Sequence, residues 1–440
     1  MSRFKLLSLM GSAFAEPGVQ RTFVVSTFVA TIGGGIILPI STLYFIKIVG
    51  LSAAQVGLAF TVSGLLAIPL SVPAGALADR IGPRRVMMAT FAGHSLVGVS
   101  YLFVQNFWML LAVQMLSAAS LAANYPASGA MLRRIGGDQA VTIRSKIRVV
   151  ANLGVSLGSL IAGVGIQIDT ATSYRVLALA FTLTQVASLA MLFRLPNYQP
   201  LPRPQKEADG SEGAPSKRIA LRDKAFLAYS LVGGAMAIQN MILEIMIAVW
   251  IVNYTDAPGW AVTVAFVLNT ALVVMLQVRI GAKIQSITDG GTALRRAGFA
   301  LLLGCAAMSL MAGVPAWAAL LLLVVGMVLL TLGEIYYVSG TFAFEFGMPP
   351  AYAQGQYQGV AGAVSGAAKA AAPALLLGVA LSLGSTGWIG VGAFLLLLGL
   401  TGPAIARWGE RTRPSGETTE AQTAATDAST GSASPATDVV

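Results

Sequence analysis

The sequence predicts an all-α polytopic membrane protein, in which twelve transmembrane helices form two six-helix bundles related by pseudo-symmetry. Three observations support this fold class. Only 10% of the 440 residues are charged and 56% are hydrophobic, whereas about a quarter of the residues in a soluble domain are charged. The apolar residues fall into two sets of six long stretches. Nearly all cationic residues fall between these stretches in positions that would share one side of a membrane.

The apolar stretches define the predicted helices, since each is close to the roughly 20 residues that a helix needs to cross a bilayer. The first six lie near residues 22–46, 54–78, 85–105, 108–132, 148–168 and 175–194. The second six lie near residues 226–252, 260–280, 297–314, 316–341, 357–383 and 387–406. The sequence therefore predicts an N-terminal bundle over residues 22–195 and a C-terminal bundle over residues 225–407.

Three polar segments flank or separate the bundles. Residues 196–224 contain five prolines among charged side chains, a composition typical of a linker. Residues 1–21 are predicted to be a cytoplasmic lead-in, although their basic start and short apolar run also resemble a secretory signal peptide. Residues 408–440 are rich in Thr, Ala and Ser and are predicted to be a disordered cytoplasmic tail.

The distribution of cations predicts the orientation. Lys47 and Arg175 lie on one side, Lys369 lies within a helix, and the remaining lysines and arginines lie with the two termini on the other side. The positive-inside rule then predicts a multi-pass protein of the cell membrane with both termini in the cytoplasm. The net charge of +10 therefore reflects topology, and we expect the lipid bilayer rather than nucleic acid to be its partner.

Composition and missing motifs exclude several functions. One histidine and one cysteine exclude an internal disulfide and a multi-ligand zinc, haem or iron-sulfur site built from those residue types. The sequence contains neither a P-loop nor a His-Glu-x-x-His motif. We therefore expect no metal, no cofactor and no enzyme activity, and a membrane enzyme or sensor is only a remote alternative.

The most specific motif is the loop after the second predicted helix, which reads Gly-Ala-Leu-Ala-Asp-Arg-Ile-Gly-Pro-Arg-Arg over residues 75–85. It resembles the signature between helices 2 and 3 of the major facilitator superfamily, and the resemblance implies that superfamily's twelve-helix fold. It also implies a cytoplasmic gate, in which Asp79 meets the N-terminal end of helix 11 and a basic residue below helix 4, here Arg133 or Arg134. The predicted gate residues are Gly75, Asp79, Arg80, Gly82, Arg84 and Arg85.

A second motif lies in the fifth predicted helix and comprises Arg148, Asn152, Gly154, Gly158 and Gly163. It resembles the helix 5 motif of the 12-helix bacterial drug:proton antiporters of the same superfamily, with serine in place of the proline that follows the second glycine there. Its small residues, spaced four apart, predict a close helix crossing. Similar Gly-x3-Gly spacings and loop motifs recur about 206 to 208 residues later, which is typical of a duplicated transporter fold.

Charged side chains at membrane depth are the strongest candidates for function, because a charge in lipid is costly unless it is paired, protonated or hydrated. Glu244, Glu334 and Lys369 lie at such depth, and Glu345 lies near the inner end of helix 10. In the superfamily layout helices 7 and 10 line the central cavity, so we expect both deep glutamates to couple protons or bind substrate. Lys369 is expected to pair with Glu244 or Glu334, or to bind substrate.

Polar and aromatic residues form a second group of candidates. They are Asn124, Tyr125, Gln239, Asn240, Tyr336 and Tyr337. Such side chains can orient a ligand or stack on it, or they can form hydrogen bonds between helices.

The features together predict a secondary active transporter that works by alternating access. We expect proton-coupled export of a small amphipathic or antibiotic-like molecule, by a functional monomer that uses the proton gradient as its energy source. The alternative is proton-coupled import of a small solute, since direction is not encoded by the candidate carboxylates themselves.

Overall fold

The computed structural model describes residues 18–201 and 219–412. In this part of the chain the regular structure is helical, without a strand. We number the helices α1 Val19–Ile48, α2 Ala53–Ile81, α3 Pro83–Tyr101, α4 Phe107–Gly136, α5 Ala140–Ile168, α6 Ala171–Leu192, α7 Lys224–Tyr254, α8 Ala261–Gly281, α9 Ile287–Ser309, α10 Ala316–Gly347, α11 Ala351–Leu383 and α12 Ser385–Arg411. Most of the predicted tail, the centre of the linker and nearly all of the lead-in lie outside the described residues.

Ten of these helices are long and apolar enough to cross a membrane. The other two, α3 and α9, each carry an arginine pair in their first three turns. The all-α polytopic fold predicted from the sequence is confirmed.

The helices pack as two bundles. Within α1–α6, α1 packs on α5 and α6, and α4 packs on α2 and α3; within α7–α12, α9 packs on α10 and α12, and α11 packs on α7. The bundles meet where α11 contacts α2 and α4, and where α5 contacts α8 and α10. Helices α2, α4, α5, α8, α10 and α11 thus form the contacts between the bundles.

Local sequence signals explain where several helices begin. Side chains of Ser52, Asn106, Thr170, Asp223 and Ser286 each accept a hydrogen bond from a backbone N–H in the first turn of the helix that follows, which satisfies a donor that would otherwise lack a partner. Between α2 and α3 the chain turns at Gly82, whose φ of 96° is a conformation that side chains with a Cβ rarely adopt. Pro83 then occupies the first turn of α3.

The two ends of the bundle differ in charge. We call the end that carries the α2–α3, α4–α5 and α8–α9 connections the basic end, because the arginine pairs lie there. At the opposite end the Lys47 ammonium donates to both Asp169 carboxylate oxygens, at 2.8 and 2.9 Å, and the Tyr174 hydroxyl donates at 2.8 Å. The hydrogen bond from Lys47, followed by that from Tyr174, lowers the pKa of Asp169.

Two helix boundaries predicted from hydropathy were wrong. Helix α5 begins at Ala140 rather than near residue 148, and α9 begins at Ile287 rather than near 297. The first turns of both helices carry cations, which lower the local hydropathy without breaking the helix. Arg148 is consequently two turns inside α5 and not at its first residue.

Candidate functional site

A cavity of about 380 Å³ lies between the two bundles, near the middle of the helices that line it. Its size is at the lower end of the range for small-molecule sites. Charged, amide and hydroxyl side chains share its wall with aliphatic side chains and one aromatic ring. The lining residues are Arg148, Asn152, Val155, Ser156, Gln239, Asn240, Met241, Ile242, Leu243, Glu244, Ile247, Phe266, Asn269, Thr270, Met327, Leu330, Glu334 and Lys369.

Glu334 forms an ion pair across the two bundles. One of its carboxylate oxygens pairs with the Arg148 guanidinium of α5, and the other accepts a hydrogen bond of 2.9 Å from the Asn269 side chain of α8. Asn269 also donates to the Thr331 hydroxyl at 3.1 Å. The expected pairing of Lys369 with Glu334 is therefore not present in this conformation, because Arg148 reaches this carboxylate from α5.

Glu244 and Lys369 line the same cavity without a direct partner. Within residues 18–201 and 219–412, neither side chain has an ion pair within 4.0 Å or a hydrogen bond. Both are accessible. Each interacts electrostatically with the other across the gap, and also with the like charge of the neighbouring pair, Glu244 with Glu334 and Lys369 with Arg148. Glu244 lies in a π-helical turn, Ile242–Met246, that interrupts α7; such turns are frequent at functional sites.

Gln239 and Asn240 also line the cavity, as part of the same irregular stretch of α7. The Gln239 amide donates to the Asn240 side-chain oxygen at 2.9 Å, and the Asn240 amide donates to the carbonyl of Ala237 at 2.9 Å. These bonds fix the orientation of both amides. The stretch therefore presents a carboxylate and two amides to the cavity.

The other four polar or aromatic candidates lie outside the lining of this cavity. Asn124 donates to the Thr90 hydroxyl at 2.9 Å, and Tyr337 donates to the carbonyl of Gly233 at 2.8 Å. The Arg296 guanidinium lies over the Tyr336 ring, 5.9 Å from the ring centroid. These three side chains thus make contacts between helices, the role that polar residues at membrane depth often have.

Tyr125 belongs to a separate cluster around Glu345, on the basic side of the cavity. Its hydroxyl donates to the Glu345 carboxylate at 2.9 Å, and the Tyr229 hydroxyl donates to the other oxygen at 3.5 Å. The Arg144 guanidinium lies 5.1 Å from the centroid of the Tyr125 ring, within the range of a cation–π contact. Glu345 is only 6% accessible, so this cluster joins the two bundles away from solvent.

The basic end is closed by a contact between α2 and α11. The Asp79 carboxylate accepts hydrogen bonds of 2.8 Å from the backbone N–H groups of Gly355 and Gln356. These groups lie in the first turn of the α-helical part of α11, which begins at Gln354 after the 3-10 turn Ala351–Ala353. The Asp79 carboxylate also interacts electrostatically with the Arg134 guanidinium. A carboxylate at a helix N-terminus is stabilised by the helix dipole and by donors without an intrahelical partner.

Glycine allows this close contact. A Cβ atom on Gly75 would lie 2.0 Å from the carbonyl oxygen of Gly355, and one on Gly359 would lie 2.4 Å from the carbonyl oxygen of Ser71. On the other side of the bundle, the Gln285 amide of the α8–α9 connection donates to the Thr142 hydroxyl of α5 at 3.0 Å. The bundles are thus joined at the basic end on both sides.

The remaining residues of the loop motif support the turn itself. The Arg84 guanidinium donates to the carbonyl of Phe193 at 2.9 Å, which joins the loop to the end of α6. Arg80 and Arg85 are exposed. Gly82 provides the positive φ described above.

The α5 motif has two parts with different roles. A Cβ atom on Gly154 would lie 2.3 Å from the Thr31 hydroxyl, and one on Gly158 would lie 2.0 Å from the carbonyl of Ile32, so these glycines allow α1 to cross α5 closely. Gly163 faces open space. Arg148 and Asn152 line the cavity.

Sequence reasoning missed two features of the cavity. Asn269 was not selected, although an amide in the apolar stretch 260–280 is a usable signal. The apolar stretch 148–168 predicts Arg148 at the very start of the fifth helix, with the cations of the cytoplasmic side. Its depth follows from the position at which α5 begins.

Comparison with known proteins agrees with this architecture. The chain matches the family model of the Major Facilitator Superfamily over residues 23–373. It is 24% identical to the uncharacterized MFS-type transporter YdeE of Escherichia coli (strain K12) over 328 residues, which cover 72% of this chain and 78% of that protein.

Other matches to relatives are shorter. The chain is 24% identical to the uncharacterized MFS-type transporter YqjV of Bacillus subtilis (strain 168), over 32% of this chain and only 35% of that protein. It is 32% identical to the multidrug resistance protein MdtG of Dickeya zeae (strain Ech586), over 27% of this chain and 29% of that protein. These two alignments thus span about a third of each relative.

Solved structures share the fold. A bacterial homologue of the iron transporter ferroportin, in its outward-facing state, superimposes with a TM-score of 0.67 at 12% identity, over 90% of this chain and 100% of that chain. The Escherichia coli fucose:proton symporter FucP gives 0.64 at 11% identity, over 88% and 97%. The family match, over most of the chain, identifies a membrane transporter of small molecules rather than an enzyme. The chain belongs to the Major Facilitator Superfamily.

Proposed function

We propose that this transporter exports a small amphipathic molecule in exchange for protons. The observation that carries the proposal is Glu244, an accessible carboxylate without a direct partner in a cavity between two bundles that are joined at one end. A carboxylate in such a place can bind a proton or a cationic group of a substrate, but not both. Competition for one carboxylate is sufficient to couple the two movements in opposite directions.

Glu334 has a different role in this mechanism. Its ion pair with Arg148 joins α10 to α5 and therefore holds the bundles together at the wall of the cavity. Protonation of Glu334 would weaken this attraction and favour the separation of α5 from α10. Glu244 thus binds a proton and the substrate in turn, whereas Glu334 couples its protonation state to the conformation of the protein.

The pair gives a testable energy. Removal of one partner from a fully buried ion pair costs about 3–5 kcal/mol, and we expect less here because the Arg148 and Glu334 side chains are 25% and 16% accessible. Glu334→Gln should therefore lower the melting temperature in detergent, and the double variant Arg148→Met/Glu334→Met should recover much of the loss. Equal melting temperatures for wild type and Glu334→Gln would contradict this role.

The proposed orientation places the basic end in the cytoplasm of a cell whose plasma membrane holds the protein as a functional monomer. The density of cations at that end supports it through the positive-inside rule. Asp79 then closes the cytoplasmic side while the cavity exchanges with the exterior. No cofactor is needed, since the proton gradient supplies the energy.

Export, rather than import, is supported by the α5 motif and by the similarity to proteins named MdtG, multidrug resistance proteins, over part of the chain. The test is growth of a gene deletion strain on a panel of toxic amphipathic compounds, with cellular dye accumulation measured before and after the proton gradient is collapsed. Export predicts greater sensitivity and greater dye accumulation in the deletion strain. Lower sensitivity in the deletion strain would indicate import and overturn the proposal.

Complementation with variants tests the residue assignment in the same assay. Glu244→Gln should fail to restore resistance, because a neutral amide cannot exchange a proton. Asp256→Asn is the matched control, since Asp256 is an exposed carboxylate in the connection between α7 and α8 at the opposite end. Full resistance with Glu244→Gln would refute the role of this carboxylate.

A further inference from the structure

The four charged side chains of the cavity differ in whether a group of the protein pairs with them directly. Arg148 and Glu334 neutralise each other, and the second carboxylate oxygen of Glu334 is satisfied by Asn269. Glu244 and Lys369 also have opposite charges. In the described part of the chain, however, neither forms an ion pair within 4.0 Å or a hydrogen bond. The cavity thus presents one available anion and one available cation.

The two available groups stay apart although both side chains are long and accessible. They come from different helices, α7 and α11, and no ion pair within 4.0 Å joins them in the described part of the chain. An unpaired charge at membrane depth is costly, so each group gains most from a ligand that brings a complementary charge to it.

The net charge of the cavity selects among ligand classes. With both carboxylates ionised, the four charged side chains sum to zero. An anionic ligand would satisfy Lys369 and leave Glu244 unmatched, whereas a cationic ligand would do the reverse. A zwitterion satisfies both and adds no net charge to a region of low dielectric, where an unmatched charge is most unfavourable.

We propose that the cavity binds a zwitterionic amphiphile, with the anionic group of the ligand at Lys369 and its cationic group at Glu244. This inference rests on the proposed transport of a small amphipathic molecule through the cavity, and it specifies the substrate class. The apolar body of the ligand contacts the wall formed by side chains such as Phe266, Met327 and Leu330. The ammonium and a proton then compete for Glu244, which links the specificity to the coupling.

The test uses three matched probes in equilibrium binding to the purified full-length protein at pH 7. They are 4-(4-aminobutyl)benzoic acid, which is a zwitterion with a flexible chain, its methyl ester, which is a cation, and its N-acetyl derivative, which is an anion. Because one lost charge-assisted contact corresponds to roughly tenfold in Kd, we expect the zwitterion to bind roughly tenfold tighter than either derivative.

Two variants give a crossed pattern that a folding defect cannot mimic. Lys369→Met should abolish the preference for the zwitterion over its ester and keep the preference over the N-acetyl form. Glu244→Gln should do the opposite. Lys283→Met is the control, since this exposed lysine lies in the connection between α8 and α9 and should leave both preferences unchanged.

Equal affinities for the three probes in the wild type, including no measurable binding of any, would overturn the inference. So would the same change in both preferences in the two variants. Because the measurement uses no proton gradient, its failure leaves the proposed proton coupling standing. Retained preferences without proton-driven transport would instead refute the coupling.

Discussion

The contact between α2 and α11 offers a quantitative test of how the basic end is held closed. In Gly75→Ala the new Cβ atom would lie 2.0 Å from the carbonyl oxygen of Gly355, a backbone atom that cannot rotate away. The helices must therefore part by about 1.4 Å for the methyl group to reach van der Waals contact. This separation lengthens the two 2.8 Å hydrogen bonds of Asp79 beyond hydrogen-bonding distance.

The energetic consequence follows from those two bonds. Hydrogen bonds to a charged group contribute about 1.5–3 kcal/mol each, so the closed basic end should lose about 3–6 kcal/mol relative to a conformation in which α2 and α11 are apart. Even 3 kcal/mol changes the ratio of two conformations by roughly 100-fold. The substitution should therefore convert a closed population into a mostly open one.

The assay is a distance measurement between spin labels on the two bundles at the basic end. Gln139→Cys and Lys283→Cys place labels on the connections that precede α5 and α9, where both side chains are exposed. The native Cys305 is fully buried and should remain unlabelled. Gly75→Ala should move the distance distribution to longer values.

The matched control is Gly64→Ala, in the same helix and three turns earlier. A Cβ atom there meets nothing within 4 Å, so the distances should equal those of the wild type. If Gly75→Ala and Gly64→Ala gave the same distribution as the wild type, the glycine contact would not determine closure, and the reasoning would be refuted.

Two further predictions concern stability. The pKa of Asp169 is lowered mainly by the hydrogen bond from Lys47, so the contribution of Asp169 to stability is present above the pKa of the unfolded chain and is lost as the pH falls through the lower pKa of the folded protein. In thermal melts from pH 7 to pH 2, Asp169→Asn should therefore be less stable than the wild type only at the higher pH values. A difference in melting temperature that does not depend on pH would contradict this prediction. Gly158→Ala should lower the melting temperature, because its Cβ atom would lie 2.0 Å from a backbone oxygen of α1. Gly163→Ala should leave the melting temperature unchanged, because Gly163 faces open space. Equal effects of the two substitutions would contradict the close crossing of α1 and α5.

Much of the fold follows from the sequence because a bilayer restricts the solutions to long apolar helices. The helix boundaries at Ala140 and Ile287 were missed because hydropathy averages over a window, and a few cations in the first three turns hide a helix that continues. That error had a functional consequence, since it placed Arg148 at the very start of the fifth helix rather than two turns inside it, opposite Glu334.

The candidate site, like the fold, could be predicted only in part from the sequence. Depth in the membrane was sufficient to select Glu244, Glu334 and Lys369, because few charged residues lie there. It was not sufficient to assign their partners, which depend on distances between helices far apart in sequence. For the same reason Tyr125 and Tyr337, which contact other helices, could not be separated by sequence from the amides that line the cavity.

The central claim is that Glu244 exchanges a proton for substrate, and everted membrane vesicles test it directly. Respiration acidifies the vesicle interior, and quinacrine fluorescence reports the pH difference. A compound to which the protein confers resistance should restore the fluorescence when it is added to wild-type vesicles, because its uptake releases protons, and it should have no effect in Glu244→Gln vesicles. Equal restoration in both, or none in the wild type, would contradict the account.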